Sequence, residues 1–277
     1  MIPTLIKQPF DDPEWIYELK WDGYRAVAEI LNQVDLYSRN NYSFNERFPA
    51  VRDSLGKIKH DCILDGEIVL LDDNGKSNFD KIRNFWRTRK GYPVFYVFDI
   101  LTYKKKSLLD KPLIYRKELL KDVLPDLPNV KYVDYVEECG IQFFGLCRKQ
   151  ELEGIVAKRR DSRYVPGIRT NNWLKIKTSR KITAVVAGHI NGYLIVCEEI
   201  ETGFRYIGCV RYGLRKADYK LLTEFQPVRF DEVKIERLPQ QYNGAVFIRP
   251  GLKCEVEFLE WQGDGTVRHA SVNRLIV

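Results

Sequence analysis

Apolar residues in the first 180 positions follow two different spacings. Short runs in which they alternate with polar residues, or form unbroken blocks, predict strands: WIYELKW, VDLYSR, CILDGEIVLLD, VFYVFDILTY, EGIVAKR and WLKIK. Two longer runs carry apolar residues at helical spacing and predict helices, LIYRKELLKDVL and IQFFGLCRKQEL. Residues 1–180 are therefore interpreted as one α+β domain.

The pattern changes after about residue 180. Short strand-like runs separated by glycine-bearing turns follow one another: TAVVAGHI, YLIVCEEI, FRYIGCVRYG, KCEVEFLEW and TVRHASVNRL. One helix is predicted at KADYKLLTEF. Five or so strands in fewer than 100 residues predict a small all-β barrel of the OB-fold type over residues 181–277, joined to the first domain by a hinge near residues 178–183.

Composition narrows the class of protein. The chain has 277 residues, of which 44% are hydrophobic, so two ordinary globular domains can each bury a core. It lacks an apolar run of about 18 residues and the basic-then-apolar start of a signal peptide, which predicts a cytoplasmic protein without a membrane partner. Its six cysteines show no metal-binding spacing and are expected to be reduced thiols.

The charge is moderately basic, with 45 Lys and Arg against 38 Asp and Glu. Cations are interleaved with aromatic residues in stretches such as RNFWRTRK, AKRRDSRY and LKIKTSRK, as expected for a surface that binds nucleic acid. The run YKKK at residues 103–106, taken alone, is interpreted as a solvated face.

Several predicted strands carry charges inside apolar runs. If residues 14–22 form a strand, Glu18, Lys20 and Asp22 share one face. WLKIK and CILDGEIVLLD repeat the pattern with two lysines and two carboxylates. Charges in apolar strands are costly unless they are paired or line a polar pocket. The sequence therefore predicts a pocket for a polyphosphate with a divalent metal, Mg²⁺ or Mn²⁺, and Phe98 as a stacking surface for a base.

These residues resemble the motifs of the covalent nucleotidyltransferases, the superfamily of ATP-dependent DNA ligases, RNA ligases and capping enzymes. The pattern K-x-D-G-x-R begins at Lys20. The remaining motifs follow in order: Arg39, DGE at 65–67, VFD at 97–99, EGIVAK at 153–158 and WLKIK at 173–177. Nearly the whole chain is similar to the ligase domain of bacterial end-joining repair ligases. The fold implied is an adenylation (nucleotidyltransferase) domain followed by an OB-fold domain.

The resemblance implies nick sealing in three steps. Lys20 would attack the α-phosphate of ATP to form lysyl-AMP, AMP would pass to the 5′-phosphate of a nick, and the 3′-hydroxyl would displace it. An amine attacks only when neutral, and neighbouring cations oppose a further positive charge on Lys20.

The resemblance also implies a role for each matched position. Lys175 and Lys177 would assist at the α-phosphate as catalytic residues. The nucleotide site would comprise Glu18, Lys20, Arg25, Arg39, Glu67, Phe98, Lys175 and Lys177. Glu67 and Glu153 would hold the metal, and Asp22 would orient Arg25 or nearby backbone. The predicted DNA contacts are Arg39, Lys158, Arg159 and Arg160.

The implied partner is nicked duplex DNA, bound without sequence specificity by a monomer that associates with the bacterial nucleoid when acting. A DNA-end-binding repair protein is a further candidate partner. An RNA ligase, a GTP-dependent capping enzyme and a non-catalytic nucleic-acid-binding module remain as alternative interpretations.

One motif of the superfamily departs from its usual form. An R-x-D-K sequence normally ends the OB domain and helps orient the leaving pyrophosphate, but here the chain reads TVRHASVNRLIV, with Ile276 at the position of the arginine. Three explanations stay open: Arg268, His269 or Arg274 takes that part, the sequence is truncated before the motif, or self-adenylation is slow. Sealing of a pre-adenylated nick is expected to be less affected, because that step does not use pyrophosphate.

Overall fold

The computed structural model describes residues 1–72, 75–77, 79–242 and 244–276. The chain divides into two compact units, Met1–Thr178 and Ser179–Val277. The division falls after Thr178, two residues before the boundary that the sequence pattern predicted after residue 180. In the described residues no helix is both long enough and apolar enough to span a membrane.

The described residues of unit 1 form two β-sheets and four helices. Its strands are β1 (Ile2–Ile6), β2 (Trp15–Leu19), β3 (Tyr24–Ile30), β4 (Val34–Ser38), β5 (Cys62–Leu70), β6 (Pro93–Tyr103), β7 (Lys106–Ser107), β8 (Val130–Tyr132), β9 (Tyr135–Glu137), β10 (Gly154–Arg159) and β11 (Arg169–Lys177). Its helices are α1 (Pro49–Leu55), α2 (Phe79–Thr88), α3 (Leu113–Val123) and α4 (Gly140–Lys149). One sheet has the order β1-β11-β10-β2-β9, and the other has β4-β3-β5-β6-β7 with β8 beside β6.

Each sheet packs its apolar face on helices. The β4-β3-β5-β6-β7 sheet buries residues such as Leu64 and Phe95 against apolar side chains of α1, α2 and α3. The other sheet packs Tyr17 and Ile155 against α4 through Cys147. Both predicted helices of this domain are observed, whereas α1 and α2 were not predicted.

Helix α3 connects the two sheets through buried ion pairs. The Arg116 guanidinium donates from Nε and Nη2 to the two carboxylate oxygens of Asp99 on β6, at 2.7 and 2.9 Å, and both side chains are completely buried. The next residue, Lys117, donates to Glu18 on β2 at 2.7 Å and to the carbonyl oxygen of Val133 at 2.6 Å. Neighbouring residues of one helix thus hold one strand from each sheet.

The prediction of one strand over residues 14–22 is wrong at its end, because β2 stops at Leu19. Lys20 still donates its backbone N–H to the carbonyl of Gly154, after which the chain crosses to β3. The crossing passes so close to β5 that a Cβ on Gly23 would lie 2.1 Å from the carbonyl oxygen of Ile68. Only glycine, which has no Cβ, fits at this point of the chain.

Unit 2 is dominated by strands. They are β12 (Arg180–Ile190), β13 (Tyr193–Ile200), β14 (Gly203–Val210), β15 (Pro227–Val228), β16 (Ile235–Glu236), β17 (Val246–Ile248), β18 (Lys253–Phe258), β19 (Glu260–Trp261), β20 (Val267–Arg268) and β21 (Ser271–Ile276). Its helices are α5 (Lys216–Leu222), α6 (Phe230–Val233) and a 3₁₀ turn at Gln240–Tyr242.

The long strands of unit 2 pack against two clusters of buried apolar residues, one containing Val186 and Val196 and the other containing Ile195 and Phe247. β12 pairs with β13 and with β18, β13 pairs with β14, and β18 pairs with β21. The N–H of Val272 on β21 donates to the carbonyl of Tyr212, just after β14, so that the two ends of this strand series approach each other. The predicted helix and three of the five predicted strands are observed as single elements, whereas KCEVEFLEW is divided into β18 and β19 and TVRHASVNRL into β20 and β21. All six cysteines are free thiols, four of them buried, as predicted.

The ion pair of α3 generates a stability prediction. Arg116→Met leaves the Asp99 carboxylate buried without its partner and should lower the free energy of unfolding of unit 1 by about 3–5 kcal/mol. Chemical denaturation followed by tryptophan fluorescence measures this loss. Arg52→Met, which removes an exposed partner of Asp53, is the matched control and should cost no more than about 1 kcal/mol. Equal losses for the two variants would contradict the assignment.

Candidate active site

A pocket lies between the two sheets of unit 1. Its basic lining residues are Lys20, Arg25, Arg39, Lys158, Arg169 and Lys175. Its acidic lining residues are Glu18 and Glu67, and its aromatic ones are Trp21, Phe98 and Trp173. Six cations against two carboxylates favour a polyanionic ligand, and the aromatic rings offer apolar surface to a planar group.

Lys20 lies in an ion-paired group at this pocket. Its Nζ is 2.5 Å from Oε2 of Glu153, whose Oε1 is 3.0 Å from Nζ of Lys177. Glu153 is nearly buried, whereas Lys20 and Lys177 keep 19% and 29% of their side chains exposed, so both lysines are accessible to a ligand. Backbone geometry fixes the group, because Gly154 has φ +135° and a Cβ there would lie 2.0 Å from the carbonyl oxygen of Ile176.

Lys175 adds a third amine to this region. It lies two residues before Lys177 on β11, as the alternation predicted. Burial lowers the pKa of Lys175, and the positive charges of Lys177 and Lys20 lower it further. Cations thus crowd one another in the pocket, and a bound anion would relieve their repulsion.

Arg25 is held by a residue that the motif did not indicate. Its guanidinium donates to Asp65 through Nε at 3.0 Å and Nη2 at 2.6 Å, and the hydroxyl of Tyr164 donates to the same carboxylate at 2.7 Å. Asp65 is completely buried. Arg25 thus takes its carboxylate partner from Asp65, and the expectation that Asp22 orients Arg25 or nearby backbone stays a prediction. The signal was the spacing of Asp65 and Glu67, which places both carboxylates on one face of the sheet, the face that also carries Arg25.

Glu67 is opposite Arg25 in the register of β5 with β3. Burial raises the pKa of Glu67 to about 8, against the opposing effect of Lys20 and Arg25. The carboxyl group is therefore largely protonated at neutral pH and has to lose its proton before it can bind a cation.

Glu18 and Lys158 form the buried floor of the pocket. Lys158 Nζ is 2.5 Å from Oε2 of Glu18, and Lys117 holds the other oxygen. The ammonium group of Lys158 also lies 4.3 Å from the ring centroid of Phe98 and 4.2 Å from that of Trp173. Burial lowers the pKa of Lys158. A side chain enclosed in this way is not on an outer surface, so the prediction that Lys158 contacts a DNA duplex is corrected: it belongs to the pocket.

The other predicted DNA contacts are exposed to different degrees. Arg39 follows β4 and lines the pocket. Arg159 and Arg160 lie at the end of β10, where Arg159 pairs with Asp161 and Arg160 pairs with Glu137. Because Arg159 is opposite Trp15 in the β10-β2 register, these two arginines are several residues along the strand from Lys20.

Glu67 and Glu153 are the two carboxylates that were expected to hold a metal ion. Among the described residues no three His, Cys, Asp or Glu side chains cluster as a complete metal site. Glu153 already accepts from two lysines, and Glu67 needs deprotonation. The residues therefore fit a hard divalent cation only when phosphate oxygens and water supply most of its ligands, which is how Mg²⁺ usually binds with nucleotides.

The chain matches one protein family along nearly its whole length. Residues 3–177 match the family model of the ATP dependent DNA ligase domain, and residues 186–275 match that of the ATP dependent DNA ligase C terminal region. The chain belongs to the ATP-dependent DNA ligase family. The resemblance drawn from the motifs is thereby confirmed, as is the fold class of an α+β nucleotidyltransferase domain followed by an OB-fold domain.

Individual relatives are consistent with this family. The chain is 31% identical over 272 residues to the multifunctional non-homologous end joining DNA repair protein LigD of Mycobacterium tuberculosis, covering 93% of this chain and 35% of that protein. It is 33% identical over 192 residues to the SPbeta prophage-derived DNA ligase-like protein LigB of Bacillus subtilis, covering 68% and 70%. The structure of mycobacterial DNA ligase D complexed with ATP and MES aligns with a TM-score of 0.59 at 29% identity, covering 99% and 94%. The chain thus spans about a third of the length of the end-joining relatives.

The raised pKa of Glu67 predicts a specific dependence of stability on pH. The folded chain keeps a proton on Glu67 up to about pH 8, whereas an unfolded glutamate loses it near pH 4.5. The folded state therefore binds more protons between these values, and Glu67 lowers stability increasingly as the pH rises from about 5 to 8. Glu67→Gln should stabilise the chain relative to wild type by an amount that grows over this range and then levels off.

Urea denaturation at pH 5, 7 and 9 measures this difference in the free energy of unfolding. Glu46→Gln, at an exposed position in the same unit, should leave the profile unchanged. Parallel profiles for Glu67→Gln and wild type would contradict the raised pKa.

Proposed function

We propose that the chain is an ATP-dependent DNA ligase that seals nicks in duplex DNA, with Lys20 as the nucleophile. The observation that carries this proposal is the group in which Glu153 joins Lys20 to Lys177 beside a strongly cationic pocket. A structural ion pair alone would not require Lys158 and Lys175 to line the same cavity as Lys20. Membership of the ligase family adds independent support.

The first step forms a bond between Lys20 and AMP. The Nζ lone pair attacks the α-phosphorus, a P–N bond forms, and the bond from that phosphorus to the bridging oxygen of pyrophosphate breaks. Lys20 must lose a proton first, and Oε2 of Glu153 is an acceptor 2.5 Å away. Lys175 and Lys177 would then offset the charge that develops on the α-phosphate.

The pocket residues have complementary parts in nucleotide binding. Phe98 would stack on the base, and Glu18 would lie beneath it with its carboxylate held by Lys117 and Lys158. Arg25 and Glu67 would bind on the ribose side. A divalent cation, Mg²⁺ or Mn²⁺, would be held by Glu67 and Glu153 together with the triphosphate and would neutralise phosphate charge there.

In the later steps AMP passes from Lys20 to the 5′-phosphate of a nick, and the 3′-hydroxyl displaces AMP to form the phosphodiester. Arg39 lines the pocket and is suited to the 5′-phosphate, while Arg159 and Arg160 would contact the duplex backbone. The similarity to end-joining proteins supports a part in DNA repair, as a monomer in the bacterial cytoplasm that acts at the nucleoid. A DNA-end-binding repair protein would recruit it.

Labelling with α-³²P nucleotide tests the proposed chemistry. Wild type incubated with ATP and Mg²⁺ should gain the mass of one AMP, whereas Lys20→Ala should gain none. Lys20→Arg should also fail, because a guanidinium stays protonated. Glu153→Gln should reduce adduct formation by about 100-fold or more, since it removes both the proton acceptor and the partner of two lysines.

The alternatives predict different results in the same assay. An adduct with GTP in place of ATP would identify a capping enzyme, and discharge by nicked RNA but not nicked DNA would identify an RNA ligase. Folded wild type that forms no adduct and does not seal a pre-adenylated nick would show a non-catalytic binding module.

A further inference from the structure

The β6-β7 hairpin turns through two lysines. Tyr103 pairs with Lys106, so the loop consists of Lys104 and Lys105 alone. Both have positive φ, 47° and 63°. We call these two residues the lysine turn. Side chains with a Cβ are strained at positive φ, and two-residue hairpins of this kind favour Asn-Gly.

A second hairpin of this chain has the favoured Asn-Gly loop. The β12-β13 hairpin also has a two-residue loop, closed by the pair Ile190 and Tyr193. Its loop residues are Asn191 and Gly192, with φ of 49° and 79°. The two loops have equal length and similar φ angles, but one consists of two lysines and the other of Asn-Gly. Backbone preference does not account for lysine in the first loop, which suggests that its charges are kept for a function.

The surroundings of the lysine turn are also basic. Lys104 donates its N–H to the carbonyl of Asp61, and the His60 ring lies edge-on to the Tyr103 ring with centroids 5.7 Å apart. The segment leading to β5 thus lies beside the hairpin. The exposed basic side chains carried by this segment and the hairpin are Lys57, Lys59, His60, Lys104, Lys105 and Lys106. Lys105 keeps 82% of its side chain exposed, with Asp61 at 3.9 Å.

This basic surface is separate from the nucleotide pocket. Phe98 on β6 lines the pocket, and Tyr103 lies five residues further along the same strand, which corresponds to roughly 16 Å. Such a distance equals the length of about five base pairs of duplex. A phosphate backbone is a polyanion that a cluster of exposed lysines can bind without reading base sequence.

We propose that the lysine turn, with the basic side chains beside it, is a contact site for the phosphate backbone of duplex DNA away from the nick. The inference rests on the proposed function, since nicked duplex is the ligand. It revises the interpretation of YKKK as an ordinary solvated face. The contact is electrostatic and independent of base sequence, and it strengthens binding without taking part in the transfer of AMP.

The Asn-Gly pair of the second hairpin supplies the test variant. Lys104→Asn/Lys105→Gly removes two charges and gives the loop its favoured residues. Binding to a fluorescently labelled nicked duplex should weaken, and the slope of log K against log salt concentration should fall by about 2, since each lost phosphate contact contributes about 0.9. The melting temperature should rise by about 2–4 °C because strain is relieved. Formation of the Lys20 adduct with ATP should stay at the wild-type level.

Two further double variants test whether the change in salt slope is caused by the loss of charge at the lysine turn. Lys104→Arg/Lys105→Arg keeps the charges and should keep the wild-type salt slope. Lys121→Asn/Lys149→Asn removes two exposed charges from α3 and α4 and should change the slope much less.

A wild-type slope for Lys104→Asn/Lys105→Gly, an equal decrease for Lys121→Asn/Lys149→Asn, or a fall in melting temperature would each overturn the inference. In the first two cases an adenylated chain that still binds and seals nicked duplex would leave the proposed function standing. Wild type that neither forms the adduct nor binds nicked duplex would instead overturn the proposed function itself.

Discussion

Buried ion pairs make a polar pocket possible inside the apolar interior of unit 1. Charges removed from water are stable only when partners and hydrogen bonds replace their hydration. Glu18 meets this condition between Lys117 and Lys158, and Asp99 meets it in the fork of Arg116. These pairs join the two sheets through α3 and hold the pocket floor in place.

Charge balance in the pocket favours an anionic ligand. The floor is internally paired, but the upper walls carry an excess of cations around Lys20 and Lys175. Burial lowers the pKa of Lys175, and the positive charges of neighbouring lysines lower it further, so a bound phosphate would relieve their repulsion. Glu153 moderates this repulsion while it keeps two lysines at fixed positions.

The sequence was informative where chemistry depends on local spacing. Alternation in WLKIK places Lys175 and Lys177 together, and the motifs identify Lys20 and Glu153 as a set. It was uninformative where partners come from distant segments. Whether Arg25 pairs with Asp22 or Asp65 depends on the crossing at Gly23, and the burial of Lys158 depends on α3 and Trp173. A lysine in a basic run looks the same in sequence whether it is enclosed or solvated.

The adjacency of Arg116 and Lys117 restricts how this chain can vary in length. One residue turns an α-helix by about 100°, so an insertion or deletion ahead of these positions within α3 would swing both side chains away from Asp99 and Glu18 together. Two sheets would lose their connection through a single change that alters no charged residue. Gains and losses of residues in natural variants should therefore accumulate in surface turns, while α3 behaves as a segment of fixed length.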